Sequence, residues 1–268
     1  YAMQWSLVGS EMCIRDSGYT AATKVVIGSD AASADVINNN ANVDLTVQAN
    51  NGSLGTNTDI TGSLGKNDVL NIVNTATGTT TFDTNNDVFE TINLVGYTST
   101  AAPTIVTGAY ALGATGGNLT INANTLTALE AVTITGTNSV TAMDIKTGAA
   151  ADTVTLGTKA DTLSAVGAGN TNISGGAGND SVNYTTTFNG ADTIDGGDGV
   201  DNVTLSGADY TNAGLSSTVF SNMSNVEQIT IGSANSLTLS SNISATKFDV
   251  QADSAQVLNP VSYTHLTL

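Results

Sequence analysis

Apolar and polar residues alternate in short runs along most of this 268-residue chain. Thr23–Gly28 reads TKVVIG, Asp68–Val73 reads DVLNIV, Glu90–Gly96 reads ETINLVG and Asn118–Ala123 reads NLTINA. Further along come Ala131–Gly136 (AVTITG), Asp152–Gly157 (DTVTLG), Asp201–Gly207 (DNVTLSG), Glu227–Gly232 (EQITIG) and Ser236–Ser240 (SLTLS). Each run sets aliphatic residues against Thr, Asn or Ser and stops near Gly or Asn, the pattern of strands bounded by turns. Alternation at period two sends one row of side chains inward and the next outward. Helices find little support, because Thr, Asn, Gly, Val and Ser all rank below Ala and Leu in helix propensity. Only Ala31–Asn38 reads as a short helical turn.

Large side chains are scarce: aromatics make up 5% of the sequence. A sandwich of this size would want bulky fillers between its sheets. A solenoid needs only a thin ladder of Val, Ile and Leu stacked rung on rung. The chain is therefore expected to be all-β, a right-handed parallel β-helix or β-roll. A β-sandwich is the alternative for residues 18–145, where the runs are more loosely spaced.

A repeat recurs outside the glycine-rich part. Asp87–Leu94 reads DVFETINL, Ala128–Ile134 reads ALEAVTI and Asn225–Ile231 reads NVEQITI. Glu90, Glu130 and Glu227 occupy the same place in it. They are cation ligands or caps on a strand edge, or else solvated markers of the start of a rung, and the last is the favoured expectation.

The most specific signal lies between Gly148 and Thr204. Gly175–Asp180 reads GGAGND and Gly196–Asp201 reads GGDGVD, each followed two residues later by Val182 or Val203. This is the G-G-x-G-x-D-x-U-x nonapeptide. Aligned on the aspartate, six turns appear, with Asp152, Asp161, Thr171, Asp180, Asp192 and Asp201 in that place. The inward U place holds Val154, Leu163, Ile173, Val182, Ile194 and Val203. The second-glycine place holds Gly148, Gly157, Gly167, Gly176 and Gly197, with Phe188 out of pattern. Glycine tolerates positive φ, so the chain turns tightly and exposes its carbonyls. Ca²⁺ is hard and takes six to eight oxygens at flexible angles. Carbonyls from Gly175, Gly176, Gly178, Gly196, Gly197 and Gly199, with the carboxylates of Asp180 and Asp201, suit it best. Asp192 ranks next. Asp161 and Asp152 follow, because neither has a glycine two residues before it. Asp195 and Asp198 read as solvated charge.

The block resembles the repeats-in-toxin (hemolysin-type) proteins. That resemblance implies a parallel β-roll, two nonapeptides to the turn, with Ca²⁺ held between successive turns. The Thr-, Ala-, Asn- and Gly-rich body around it resembles bacterial surface-layer proteins and type I-secreted adhesins. This implies a structural rather than enzymatic role, outside the cell or on its surface, with Ca²⁺ as cofactor. The partners implied are copies of the chain in a surface lattice or cell-surface glycans.

Composition narrows the rivals. Net charge is −17. The only Trp, Cys, Arg and His (Trp5, Cys13, Arg15 and His265) all lie near the ends. Residues 18–259 hold five Lys against eighteen Asp and three Glu. A nucleic-acid footprint is excluded on that charge. No apolar run is long enough to span a membrane, and no basic amphipathic helix is present to lie on one. Disulfides and thiolate metal sites are ruled out for residues 18–259. A β-helix acting on polysaccharide, or the non-catalytic repeat part of a secreted enzyme or toxin, is the alternative function. A carboxylate pair alone can hydrolyse a glycoside, but neither H-E-x-x-H nor G-x-S-x-G occurs.

Ser6–Ser17 (SLVGSEMCIRDS) and Pro260–Leu268 (PVSYTHLTL) resemble translated sequencing-adapter read-through. Residues 1–17 and 260–268 are therefore set apart, and the gene is expected to be truncated at both ends. The expected organisation is a strand-repeat region at 18–145, the calcium-binding roll at 146–206 and a second strand-repeat region at 207–259.

Overall fold

Each strand pairs with one that lies a whole coil away in sequence, and every pairing is parallel. The computed structural model describes residues 44–49, 67–73, 89–95, 103–107, 117–137, 139, 141–185, 188–205 and 219–231. It also places short strands at 4–6, 13–15, 23–26, 36–38, 59–61, 79–82, 236–239, 247–250 and 257–260. Alternate strands form one sheet of twelve, and the strands between them form sheets of seven, three and two, so every second strand is a neighbour in space. This is the topology of a parallel β-solenoid with two strands to the coil.

The longer sheet has twelve strands. Its central members are Leu45–Ala49, Val69–Val73, Thr91–Val95, Leu119–Asn122, Met143–Lys146, Thr162–Val166, Ser181–Tyr184, Asn202–Leu205 and Gln228–Ile231. The facing sheet has seven, among them Thr104–Thr107, Thr133–Thr135, Thr153–Thr155, Asn172–Ser174, Thr193–Asp195 and Met223–Ser224. The sandwich alternative for residues 18–145 does not appear. The strands described there all run parallel and continue the same two sheets, except Val36–Asn38 and Asp59–Thr61, which form a parallel three-stranded sheet with Cys13–Arg15. Their looser spacing is a longer coil: partners are 22 to 29 residues apart there, against 18 to 21 through most of the glycine-rich block.

Alternation becomes two apolar ladders. In the long sheet Val47, Leu70, Ile92, Ile121, Ile145, Leu163, Val182, Val203 and Ile229 stack in register, all buried. In the facing sheet Ile105, Ile134, Val154, Ile173, Ile194 and Met223 do the same. All six residues of the U place sit in these ladders. Each buried aliphatic contributes about 1.5–3 kcal/mol, and the stack repeats it on every rung.

Phe188 breaks the glycine pattern for a packing reason. It is buried edge-on against Tyr184, with ring centroids 5.0 Å apart, and lies 6.3 Å from Phe220. An aromatic cluster fills that corner instead of a glycine turn. The helical expectation for Ala31–Asn38 fails where it can be checked: Val36–Asn38 is a strand paired with Cys13–Arg15 and Asp59–Thr61. Residues 31–35 lie outside the described part. Of the terminal segments, Gln4–Ser6, Cys13–Arg15 and Val257–Pro260 also pair as strands. Among the described residues no helix is long and apolar enough to cross a membrane.

Candidate metal centre

The six aspartate places separate onto two edges of the solenoid. Where the facing sheet leads into the long one, Asp161, Asp180 and Asp201 stand one above another. On the opposite edge the stack is Asp152, Thr171 and Asp192. Each aspartate uses Oδ1 to accept the backbone N–H of the equivalent residue one coil earlier. Asp161 takes Met143, Asp180 takes Asp161 and Asp201 takes Asp180, each at 2.8 Å. Asp152 takes Val132 and Asp192 takes Thr171, also at 2.8 Å. The first duty of the aspartate place is thus to satisfy a main-chain donor at a strand entry, where the ladder supplies no partner.

Oδ2 distinguishes the corners. In Asp152 it accepts Gly148 N–H at 3.0 Å, in Asp161 Gly157 N–H at 3.1 Å, and in Asp192 Asn189 N–H at 2.8 Å. In Asp180 and Asp201 it is buried and has no hydrogen-bond partner. These two residues are only 3% and 2% exposed. Leaving a buried acceptor unsatisfied costs about 1–3 kcal/mol, and more when it is charged. Among the aspartate places the orphans occur only at the two full motifs; elsewhere among the described residues Glu130 Oε1 and Asp144 Oδ1 are also buried carboxylate oxygens without a hydrogen-bond partner.

Glycine geometry explains the difference. Gly176 and Gly178 have φ of 86° and 137°, and Gly197 and Gly199 have 95° and 144°. These are the positive-φ glycines among the described residues, and L side chains avoid that region. The turned peptides no longer aim an N–H at the carboxylate four residues on. The corners also stack tightly. Ala177 and Asp198 form a parallel bridge, with Gly178 N–H donating to the Asp198 carbonyl and Asp198 N–H to the Gly176 carbonyl, both at 2.8 Å. A Cβ on Gly175 would collide with the Gly196 carbonyl oxygen and would lie 2.8 Å from Asp180 Oδ2. The glycine therefore leaves room where a carbonyl from the coil above and the orphaned carboxylate oxygen meet.

Electrostatics at this edge is unfavourable without a cation. Burial, and then the charges of Asp161 and Asp201, push the Asp180 carboxyl up to about 7, although the Asp161 N–H holds against the shift. Burial likewise raises Asp201, with Glu227 and Asp195 adding to it. Asp161 and Asp192 are raised by burial and opposed by their two N–H donors. Burial carries Asp152 to about 6.

Among the described residues no three His, Cys, Asp or Glu side chains converge as a site built from side chains requires. A cation here would depend on main-chain carbonyls, with one carboxylate per corner. That donor set, all oxygen and on flexible turns, fits Ca²⁺ and no soft metal. Gly175, Gly176, Gly178, Asp180, Gly196, Gly197, Gly199 and Asp201 come together. Asp192 and Asp152 sit on the other edge, and Asp161, though in the same stack, is closed by Gly157. Asp195 is exposed, as expected; its Oδ1 accepts the Asn225 side-chain amide at 2.7 Å.

The sequence disfavoured or missed three features. Glu90 and Glu227 are members of the same stack: Glu90 Oε2 accepts Asp68 N–H at 2.7 Å and Glu227 Oε2 accepts Asp201 N–H at 2.8 Å. They are caps on a strand edge, not solvated markers. Glu130 is buried at 2% exposure and accepts Thr127 N–H at 2.6 Å. Asp68, which accepts Leu45 N–H, extends the acidic edge below the motif block. The shared Glu place was the available signal, because a carboxylate kept at one position of a rung implies a fixed donor opposite it.

The chain matches no protein-family model, no curated protein and no solved structure.

Proposed function

We propose that this chain is a structural protein of the bacterial exterior whose solenoid is ordered by Ca²⁺, in the manner of a surface-layer or adhesin component. One ion lies in the step between the two glycine corners, held by Asp180 Oδ2 and carbonyls of both corners, the Gly196 carbonyl among them. The observation that carries this is the buried, unpartnered Oδ2 at the two complete motifs, set beside Asp152, Asp161 and Asp192 at the same motif place, whose carboxylate oxygens are all taken. Ca²⁺ supplies the positive charge that the stack lacks, and ligand binding of this kind is folding free energy.

The consequence is a chain that folds where calcium is plentiful. Extracellular modules bind Ca²⁺ at about 10⁻⁴–10⁻³ M. Below that range the stacked carboxylates repel and the coil edge is loose; above it the rungs lock. Export followed by folding outside the cell, as in type I secretion, follows from this. The Thr- and Asn-rich rows on the outer faces then serve contacts with further copies or with glycans. Far-UV circular dichroism of the full chain tests the reading. The β signal is expected to grow and its melting to shift upward when calcium of about 10⁻³ M replaces chelator. Superimposable spectra and melts in the two conditions would reject it.

A further inference from the structure

The corner Ser224–Glu227 lacks the glycine motif, yet it repeats the motif's geometry one coil higher. Asp195 pairs with Ser224, which sets Asn225 over Gly196. Gly196 N–H donates to the Ser224 carbonyl at 3.0 Å, as Gly175 N–H donates to the Asp195 carbonyl at 2.7 Å. Asn225 has φ of 49°, the one positive-φ residue other than glycine among those described. Asn enters this region more readily than most residues because its short amide bonds locally. Here Asn225 Nδ2 donates to Asp195 Oδ1 at 2.7 Å, which fixes the turn.

The result is a second copy of the oxygen arrangement. A Cβ on Gly196 would collide with the Asn225 carbonyl oxygen and would lie 2.7 Å from Asp201 Oδ2. On Gly175 the equivalents are the Gly196 carbonyl and Asp180 Oδ2 at 2.8 Å. Asp201 is 2% exposed, and its Oδ2 has no partner. Glu227 takes Asp201 N–H as Asp201 takes Asp180 N–H. A corner three residues shorter thus reproduces the carbonyl, the cap and the orphaned carboxylate. It does so with three acidic residues nearby: Asp195, Asp201 and Glu227.

We propose that Asn225 and Asp201 form a second divalent-cation site, one coil above the first, in which the Asn225 carbonyl replaces a motif glycine. The inference rests on the calcium reading of the glycine corners, and it adds an ion that the nonapeptide pattern does not count. Asp201 Oδ2 is its carboxylate ligand, the Asn225 carbonyl its nearest main-chain ligand, and Glu227 lends charge. The site is specific for a hard cation, because only oxygens face it.

Counting calcium ions bound to the full chain, by equilibrium dialysis against calcium alone, tests this. Wild type is expected to bind two. Asn225→Gly, which keeps the positive φ available, retains two. Asn225→Val, whose β-branch opposes that φ, binds one, and so does Asp201→Asn, provided that each gives the wild-type circular dichroism spectrum in calcium. Asp180→Asn also binds one, the upper ion. One ion on wild type that persists in both Asn225→Val and Asp201→Asn would overturn the second site and leave the first standing. Two ions on both variants would do the same. No calcium bound to wild type would overturn the first reading itself.

Discussion

The corner ending at Asp161 and the corner ending at Asp180 are neighbours in one stack, yet they solve the same problem differently. Both cap the strand one coil below through Oδ1 at 2.8 Å. At the lower corner Gly157 N–H then closes on Oδ2. At the upper corner two glycines with positive φ turn the chain's donors elsewhere, and Oδ2 is left alone in a buried position. The closed corner is complete as it stands. The open corner is destabilised by burial and like charge until a cation arrives. A change in turn geometry therefore separates a purely structural carboxylate from a candidate ligand.

The largest effect should come from forcing an open corner out of its conformation. Gly178→Ala and Gly199→Ala place a Cβ at φ of 137° and 144° and against the carbonyls of Lys159 and Gly178 respectively. Left-handed strain alone costs about 1–2 kcal/mol per residue, and backbone collision adds to it. A loss of at least ~2 kcal/mol is expected in urea unfolding with calcium present. Wild-type midpoints would show that these turns are not what the structure describes.

Next in size is the contrast between the two carboxylates. Asp161→Asn sets an amide against the N–H of Gly157 or Met143. It should destabilise by about 1–3 kcal/mol, the cost of unsatisfied buried donors, with calcium or with chelator. Asp180→Asn should be neutral or stabilising in chelator, since it removes a buried charge, and should abolish most of the stabilisation by calcium. Wild-type binding at 100 times its dissociation constant gives about 2.7 kcal/mol per site. Equal effects of the two substitutions in both conditions would dissolve the distinction between open and closed corners.

Proton linkage gives a smaller effect with a clear sign. In the metal-free chain Asp180 titrates near 7 and Asp152 near 6, against an unfolded value of 3.8. Between about pH 4 and 7 the folded chain holds more protons than the unfolded one, so stability falls as pH rises through that window. Saturating calcium keeps Asp180 ionised and should flatten or reverse the slope. Thermal melts in chelator at a series of pH values check this; stability that rises with pH in the absence of metal would count against the buried stack. The smallest change belongs to Asn225→Gly, whose stability should stay within about 1 kcal/mol of wild type.

Much of this is legible in the sequence. The residues of the U place are local, periodic and apolar, and all six reach the two inner ladders. Thr133–Thr135 and Thr153–Thr155 stack in register across a coil of irregular length, because insertions fall in corners and leave strands aligned. What the sequence hid was decided by single peptide orientations. Asp161 and Asp180 occupy the same motif place, and nothing in their own residue type says which keeps a free oxygen. The sign lay two and five residues earlier, where Lys159 and Leu156 stand in one corner and Gly178 and Gly175 in the other, while the glycine four residues earlier is common to both. Asp192 looked like a ligand because it follows a glycine, yet it stands on the opposite edge with Asn189 N–H on its Oδ2. Asn225 was hidden because a non-glycine residue there does by conformation what the motif does by composition.

Calorimetric titration of calcium into the full chain, wild type beside the double variant Asp180→Asn with Asp201→Asn, reaches the central claim most directly. Wild type should release or absorb heat with saturation near 10⁻⁴–10⁻³ M calcium, and the folded double variant should give only heats of dilution. An unchanged binding curve in that variant would place calcium elsewhere and leave these two carboxylates as caps alone.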